Sequence, residues 1–443
     1  MNEQIQLLKI SDNGRFIVKE DGTPFFWLGD TAWELFHKLN REEAEEYLSN
    51  RAKRRFNVIQ AAALSEFEGI TTENAYGRLP LLKNNLGEYD PTMPDLSGDY
   101  SYWDHVDFIV DKAAELGLYI GFLPTWGDKY NLAWGKGPVI FNKNNARIYG
   151  QWLGERYKDR ANIIWILGGD RPLEKEEHYD IIRAMAEGLA QGDGGRHLIT
   201  FHPPGGTSSS SFVHNEKWLS FNMIQSGHSF NVLNYIKVEE DYKLMPVKPV
   251  LDGEPCYEDH PINFKPENGY FNNFHVRRAA YWGVFAGGFG HTYGHHSIWS
   301  MTTKPTDYFI LTWKEAIDRP GGNQMQYLRN LIESRPFLDR VPDQSILVNE
   351  LPGLDHIRAT RGKDYAFIYT PTGREFKVHM GKISGDRVIA HWYDPRSGEA
   401  SYIGEYDNKG IVLFVPPSNG DGNDWVLVLD DSSKGFQKPG ARR

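Results

Sequence analysis

The stretch Asn162-Ile-Ile-Trp-Ile-Leu-Gly-Gly-Asp170-Arg-Pro172 decides how the rest of the chain is read. Ile163 to Leu167 are continuously apolar, without the alternation of a half-exposed strand, which is the pattern of a parallel strand covered on both faces. Gly168 and Gly169 let the backbone turn without a Cβ penalty, and the charged run from Glu174 to Tyr179 begins a helix. Asp170 therefore ends a core strand, at the end where strand-then-helix architectures carry their chemistry. Alone, Asp170 reads equally well as a helix N-cap. A second stretch shifts the balance: Pro249-Val-Leu-Asp-Gly-Glu254-Pro255 is another short apolar strand ending in glycine and a carboxylate. Two carboxylates at the same ends of two strands are the minimum equipment for cleaving a glycosidic bond.

Outward from this stretch, strands and helices alternate. The strands expected are Phe25 to Leu28, Val58 to Leu64, Leu118 to Pro124, Ile163 to Leu167, His197 to His202, Phe221 to Gln225, Pro249 to Glu254 and Phe289 to Tyr293. Helices are expected over 31–55, 104–116, 144–158, 175–190, 271–285 and 324–334, with a Gly/Ser-rich loop over 203–211 in place of one. Eight such strands predict an α/β fold, a (β/α)₈ TIM barrel spanning 24–337. Turns at Asp12-Asn13-Gly14 and Glu20-Asp21-Gly22 predict an N-terminal β-hairpin, 1–23, packed on the barrel. From Pro342 the texture changes to hairpins with no helical period, predicting a C-terminal antiparallel β-sandwich domain, 338–443, whose last residues from Ser432 read as a frayed tail. The loop from Ser65 to Trp103 is long enough to suggest a function.

Composition excludes several classes. The formal net charge is −10, so there is no basic footprint for nucleic acid. Cys256 is the only cysteine, which rules out a disulfide framework and a cysteine-based zinc site. No apolar run approaches a membrane span, and no leader pattern opens the chain. As it stands the sequence predicts a cytoplasmic protein, or a secreted one if a leader was trimmed. His291 and His295 are four apart, but Gly290 and Gly294 break the helix that a zinc pair at that spacing would use, so no metal and no cofactor are expected. The 13 tryptophans offer flat faces to sugar rings as readily as they fill cores.

The strand ends collect Asp30 and Trp33, Gln60, Trp126, Asp170, His202, Gln225 and His228, Glu254 and Tyr257, then His291 and Tyr293. Asp170 is expected to be the general acid/base and Glu254 the nucleophile, with Asp252 as the deeper rival to Glu254. The others are expected to bind substrate. For Asp30, capping of the first helix competes with binding. Trp126 is the best candidate for a stacking platform, and His295 and His296 read as structural.

Four pieces, Trp27-Leu-Gly-Asp-Thr-Ala-Trp33, Leu167-Gly-Gly-Asp170, Asp252-Gly-Glu-Pro255 and Gly290-His-Thr-Tyr-Gly294, resemble the catalytic domain of glycoside hydrolase family 140, the apiosidase-like bacterial enzymes. The C-terminal part is similar to the sandwich known as a collagen-binding domain. The resemblance implies a retaining glycosidase with an aspartate acid/base after the fourth strand and a glutamate nucleophile after the seventh, roles that fall on Asp170 and Glu254. It further implies a terminal β-linked sugar, apiose foremost, on plant glycosides or pectic side chains. Two other readings compete: another exo-β-glycosidase, and a non-catalytic carbohydrate- or collagen-binding protein. The acid pair favours an enzyme. The oligomeric state is not legible.

Overall fold

A computed structural model describes residues 5–441 of the chain. Eight parallel strands form its centre: β1 (Trp27–Thr31), β2 (Val58–Ala62), β3 (Tyr119–Leu123), β4 (Ile163–Gly168), β5 (Ile199–His202), β6 (Asn222–Gln225), β7 (Val250–Asp252) and β8 (Gly290–Tyr293). Their hydrogen-bonded order is β5-β4-β3-β2-β1-β8-β7-β6. The seam between β5 and β6 is closed by bonds just below β6: Ser220 N donates to Ile199 O at 2.8 Å and Thr200 Oγ1 to Phe221 O at 2.7 Å. Every residue of these strands is buried, as the lack of polar alternation requires. The result is a TIM barrel.

Where the helices differ from expectation, capping chemistry gives the reason. The single helix expected over 31–55 is two, Leu35–Lys38 and Arg41–Lys53, because Asn40 takes the N-cap of the second and forms a capping box with Glu43. The Gly/Ser-rich stretch is not plain loop. Thr207–Ser208 pairs antiparallel with β6, and a short helix, Ser210–Val213, follows. Helix Asn234–Tyr242 completes the unit after β6 and was not anticipated.

At the N-terminus, Leu8–Ile10, Ile17–Lys19 and Pro24–Phe25 make a three-stranded antiparallel sheet, one strand more than a hairpin. It covers the N-terminal end of the barrel, where Phe25 packs edge-on to Tyr119 and the Tyr119 hydroxyl donates to Gln6 O. Residues 1–4 of the expected hairpin segment lie outside the described residues.

The C-terminal part is an antiparallel sandwich of a six-stranded and a two-stranded sheet around its own apolar core. Two of its strands had no apolar signature. Ala400–Asp407 is a largely exposed edge, and Arg358–Arg361 buries an arginine paired with Glu239. The sandwich shares a second core with the barrel helices Asn273–Phe285 and Pro320–Glu333, where Tyr281 stacks on Tyr369 at 4.9 Å. Buried bidentate pairs join the two parts: Arg335 with Asp430 and Arg277 with Asp424. The segment after Ser432 is docked rather than frayed, since Phe436 lies under the Arg335 guanidinium and edge-on to Tyr365. Residues 442–443 lie outside the described residues.

Candidate active site

At the C-terminal ends of the strands lies a pocket of ≈ 1830 Å³, mouth included. The segments following all eight strands contribute to its walls, from Trp33 after β1 to His296 and Trp299 after β8. Asp170 and Glu254 both line it.

Asp170 is presented by an unusual turn. Gly168, Gly169 and Asp170 have φ of +93°, +100° and +58°, three successive residues in the left-handed region. A Cβ on Gly168 would sit 2.3 Å from His202 O, so only glycine allows β4 and β5 to approach there. Holding a non-glycine residue at positive φ costs on the order of 1–3 kcal/mol and is a device of functional sites. The Asp170 carboxylate accepts from Trp134 Nε1 at 3.1 Å and from Arg171 Nη1 at 2.9 Å. Burial first, and the charge of Glu254 second, push its pKa above the usual carboxylate range despite Arg171.

Glu254 is tuned the opposite way. His228 Nε2 donates to its Oε1 at 3.3 Å, and His202 Nε2 lies 2.8 Å from its Oε2, though out of hydrogen-bond alignment. Burial alone would raise this carboxyl, but the two histidines outweigh it and hold the pKa at about 2. His202 also links the two acids. Its Nδ1 accepts from the Asp170 backbone N–H at 3.3 Å, which leaves the ring proton on Nε2, facing Glu254. A carboxyl with raised pKa and a carboxylate with lowered pKa in one pocket can divide acid and nucleophile chemistry between them.

The structure brings Trp33, Trp126, Gln225, His228 and Tyr257 to the same pocket. Trp33 and Trp126 pack on each other at 4.9 Å and both touch the His202 ring, so they hold that imidazole in place. Trp126 is only 3% exposed, whereas Trp134, in the loop after β3, is 45% exposed and is the open platform of the site. Its surroundings, Gly135-Lys136-Gly137, were the available signal: a tryptophan in a glycine-rich loop has no core to fill. The Tyr257 phenol, raised by burial and by Glu254, stays a neutral donor. Its ring fits only because Gly294 opposite it has no side chain, a Cβ there falling 2.0 Å from the ring. Buried polar atoms with no partner among the described residues line the walls: Trp126 Nε1, Gln225 Oε1, Tyr257 Oη and His296 Nε2. Such a set suits a polyhydroxylated ligand.

Other expected binding residues are not among those lining the pocket. Asp30 is fully buried and accepts from Tyr47 and from Arg51 Nε, both at 2.5 Å. Gln60 donates to Gly253 O. His291 is sealed inside the barrel, where burial lowers its pKa to about 3. Tyr293 donates to Glu258 at 2.6 Å, away from Glu254. On this side the pocket is walled by the segment beyond β8, with His296, Trp299, Tyr308 and Phe309. Thus His296 faces the pocket, while His295 bonds Asp259. Asp252 accepts from Ser226 and Asn234 beneath the pocket and does not line it. Burial raises its pKa to about 6.

Asp30 therefore acts on stability. Removing one partner of a buried pair typically costs ~3–5 kcal/mol, and Asp30→Asn is expected to lower the melting temperature sharply while leaving KM of the folded fraction unchanged, as thermal unfolding and steady-state kinetics would show. A raised KM at unchanged stability would overturn this.

Glu66 was missed altogether. It enters from the start of the long loop, lines the pocket and pairs with Arg171 Nη2 at 3.2 Å. Burial, with Arg171 opposing and Asp170 adding, pushes its pKa up to about 8. Sequence gave no hint, because Ser65-Glu66-Phe67-Glu68 has no motif character. Among the described residues no group of three or more His, Cys, Asp or Glu is placed to hold a metal ion, and no helix is long and apolar enough to cross a membrane.

Residues 11–339 match the family described as "Apiosidase-like, catalytic domain", and residues 341–430 match "Putative collagen-binding domain of a collagenase". Among solved structures, one titled "Glycoside hydrolase" is 39% identical over 99% of both chains, with a TM-score of 0.89. Another, a glycoside hydrolase family 5 protein from Bacteroides vulgatus ATCC 8482, is 36% identical over 99% of this chain and 96% of that one, with a TM-score of 0.90. No curated protein matches the chain.

Proposed function

This chain belongs to the apiosidase-like family and is a glycoside hydrolase, and we propose that it releases a terminal β-linked sugar, apiose foremost, with retention of configuration. The observation that carries the reading is the opposed tuning of Asp170 and Glu254 in one pocket. Asp170, whose pKa is raised by burial and by the Glu254 charge, delivers a proton to the leaving oxygen. Glu254, kept ionised by His202 and His228, attacks the anomeric carbon from the other face. The glycosyl ester so formed is cleaved by water that Asp170, now ionised, deprotonates. Unpartnered donors and acceptors on the walls take the sugar hydroxyls, and Trp134 offers a face to the ring or to the aglycone.

Walls contributed after all eight strands favour a pocket for a chain end over an open groove for internal bonds. Apiose itself rests on the family description, with plant glycosides or pectic side chains as the sources. Two measurements test the proposal: a panel of aryl β-glycosides including the apioside, and a proton NMR time course. Release of apiose with the β-anomer appearing first is expected. The opposite anomer first would reject retention. Cleavage of internal glucan or xylan bonds without apiose release would reject the substrate.

The sandwich, in this reading, is a structural companion to the barrel. Its buried pairs and shared core make it part of one packed body. Immobilised collagen is expected not to retain the full chain, and tight retention would overturn this.

A further inference from the structure

Arg278 is 6% exposed, yet among the described residues it has no hydrogen bond and no ion pair. Its neighbours in the fold are treated differently: Arg277 is held by Asp424 and Arg335 by Asp430. The Arg278 guanidinium meets only ring faces, Trp282 at 5.1 Å and Phe274 at 5.4 Å. A cation so enclosed and without an anionic partner is costly to hold, and the ring faces offset only part of that cost.

The guanidinium lines a small pocket of ≈ 290 Å³ beside the large one. Among the described residues no acidic side chain lines it. The Ser226 hydroxyl and the Asn234 amide are spent on Asp252 and Ala279 O, so besides the guanidinium the lining offers an anion two donors. His275 accepts from Asn272 N at Nδ1, so its Nε2 carries a proton, and Ser229 adds a hydroxyl. Cys256 is pushed up to about 12 by burial and stays a neutral thiol. Asp421 and Asp424 reach Arg278 only through space, and Asp424 is already committed to Arg277. Ser226, Gly227, Ser229 and Val232 line both pockets, so the segment 226–232, which carries His228, is the partition between them.

We propose that Arg278 holds a small monovalent anion, chloride or the carboxylate of a small acid, and that the bound anion braces the segment presenting His228 to the large pocket. Charge supplies the attraction, and the donors around it satisfy the anion's remaining lone pairs. A monatomic ion or a formate-sized carboxylate fits beside the guanidinium in this pocket.

The test uses the full chain at fixed ionic strength, with chloride or formate replacing gluconate. A ligand that binds only the folded state raises the melting temperature saturably, by about 2–4 °C here, and hydrogen exchange over 226–232 should slow several-fold. Arg278→Met should abolish both responses and Arg278→Lys should retain part of each. The chlorine-35 NMR linewidth of the unaltered protein gives a measurement independent of any variant, since bound chloride broadens the line and formate should restore it. A response to chloride alone assigns the site to inorganic halide, and one to formate assigns it to carboxylates. No saturable response to either salt, or an equal response in Arg278→Met, would overturn the proposal. None of these readouts depends on hydrolysis.

Discussion

Glu254→Gln is expected to reduce kcat by at least ~10³-fold on any glycoside, activated or not, because the amide neither attacks the anomeric carbon nor stabilises charge on it. Leaving-group chemistry offers no escape: the bond to be formed is missing, whatever the bond to be broken. Glu254→Ala makes the test sharper. The space left beside His202 and His228 admits azide, and one direct displacement by azide would give a glycosyl azide of inverted configuration. The same variants report on stability. Glu254 has a pKa of about 2 in the folded chain against 4.5 as a free group, so the unfolded chain binds more protons between those values and stability rises with pH across that window. The contribution is complete above about pH 4.5 and is lost as pH falls toward 2. Glu254→Gln should therefore melt below the unaltered protein at pH 7, with the gap closing in acid. Near-normal turnover in Glu254→Gln would take the nucleophile role from Glu254.

Much of this arrangement was legible in the chain. The apolar run from Ile163 to Leu167 is readable because a strand buried on both faces has no reason to alternate, and β4 is such a strand. The glycine pair before Asp170 is readable because three successive left-handed residues demand it. Asp30 shows the limit. Its position at a strand end matches that of Asp170, but Arg51, twenty-one residues later, turns inward from its helix and claims the carboxylate. Strand position alone does not say which carboxylates are neutralised from outside the barrel. Glu66 and His296 were illegible for a related reason: they stand in loops whose path is set by tertiary contacts, and no local period marks them. The edge strand Ala400–Asp407 lacks an apolar run because half of it faces water.

Asp170→Asn should behave differently from Glu254→Gln in each respect. With a leaving group that needs a proton, kcat/KM is expected to fall ~10²–10⁴-fold, whereas a dinitrophenyl glycoside should be bound and opened at a nearly unchanged rate. The intermediate then accumulates, because no base activates water for the second step. Azide, which needs no base, should intercept it in Asp170→Ala and give a glycosyl azide of retained configuration after two displacements. The stability effect has the opposite sign. Burial and the Glu254 charge raise the Asp170 pKa, so the folded chain binds the extra proton and stability declines as pH rises from 3.8 through the raised folded value. Asp170→Asn removes that penalty and should melt above the unaltered protein at neutral pH, with no advantage below about pH 4. Its kcat/KM profile on the dinitrophenyl substrate should also lose the alkaline limb that Asp170 supplies. Glu66 shares Arg171 with Asp170 and is itself held up at about 8, so it is a neighbouring carboxyl able to stand in as acid. An equal loss on both leaving groups, with the alkaline limb intact, would take the acid role from Asp170 and give it to Glu66.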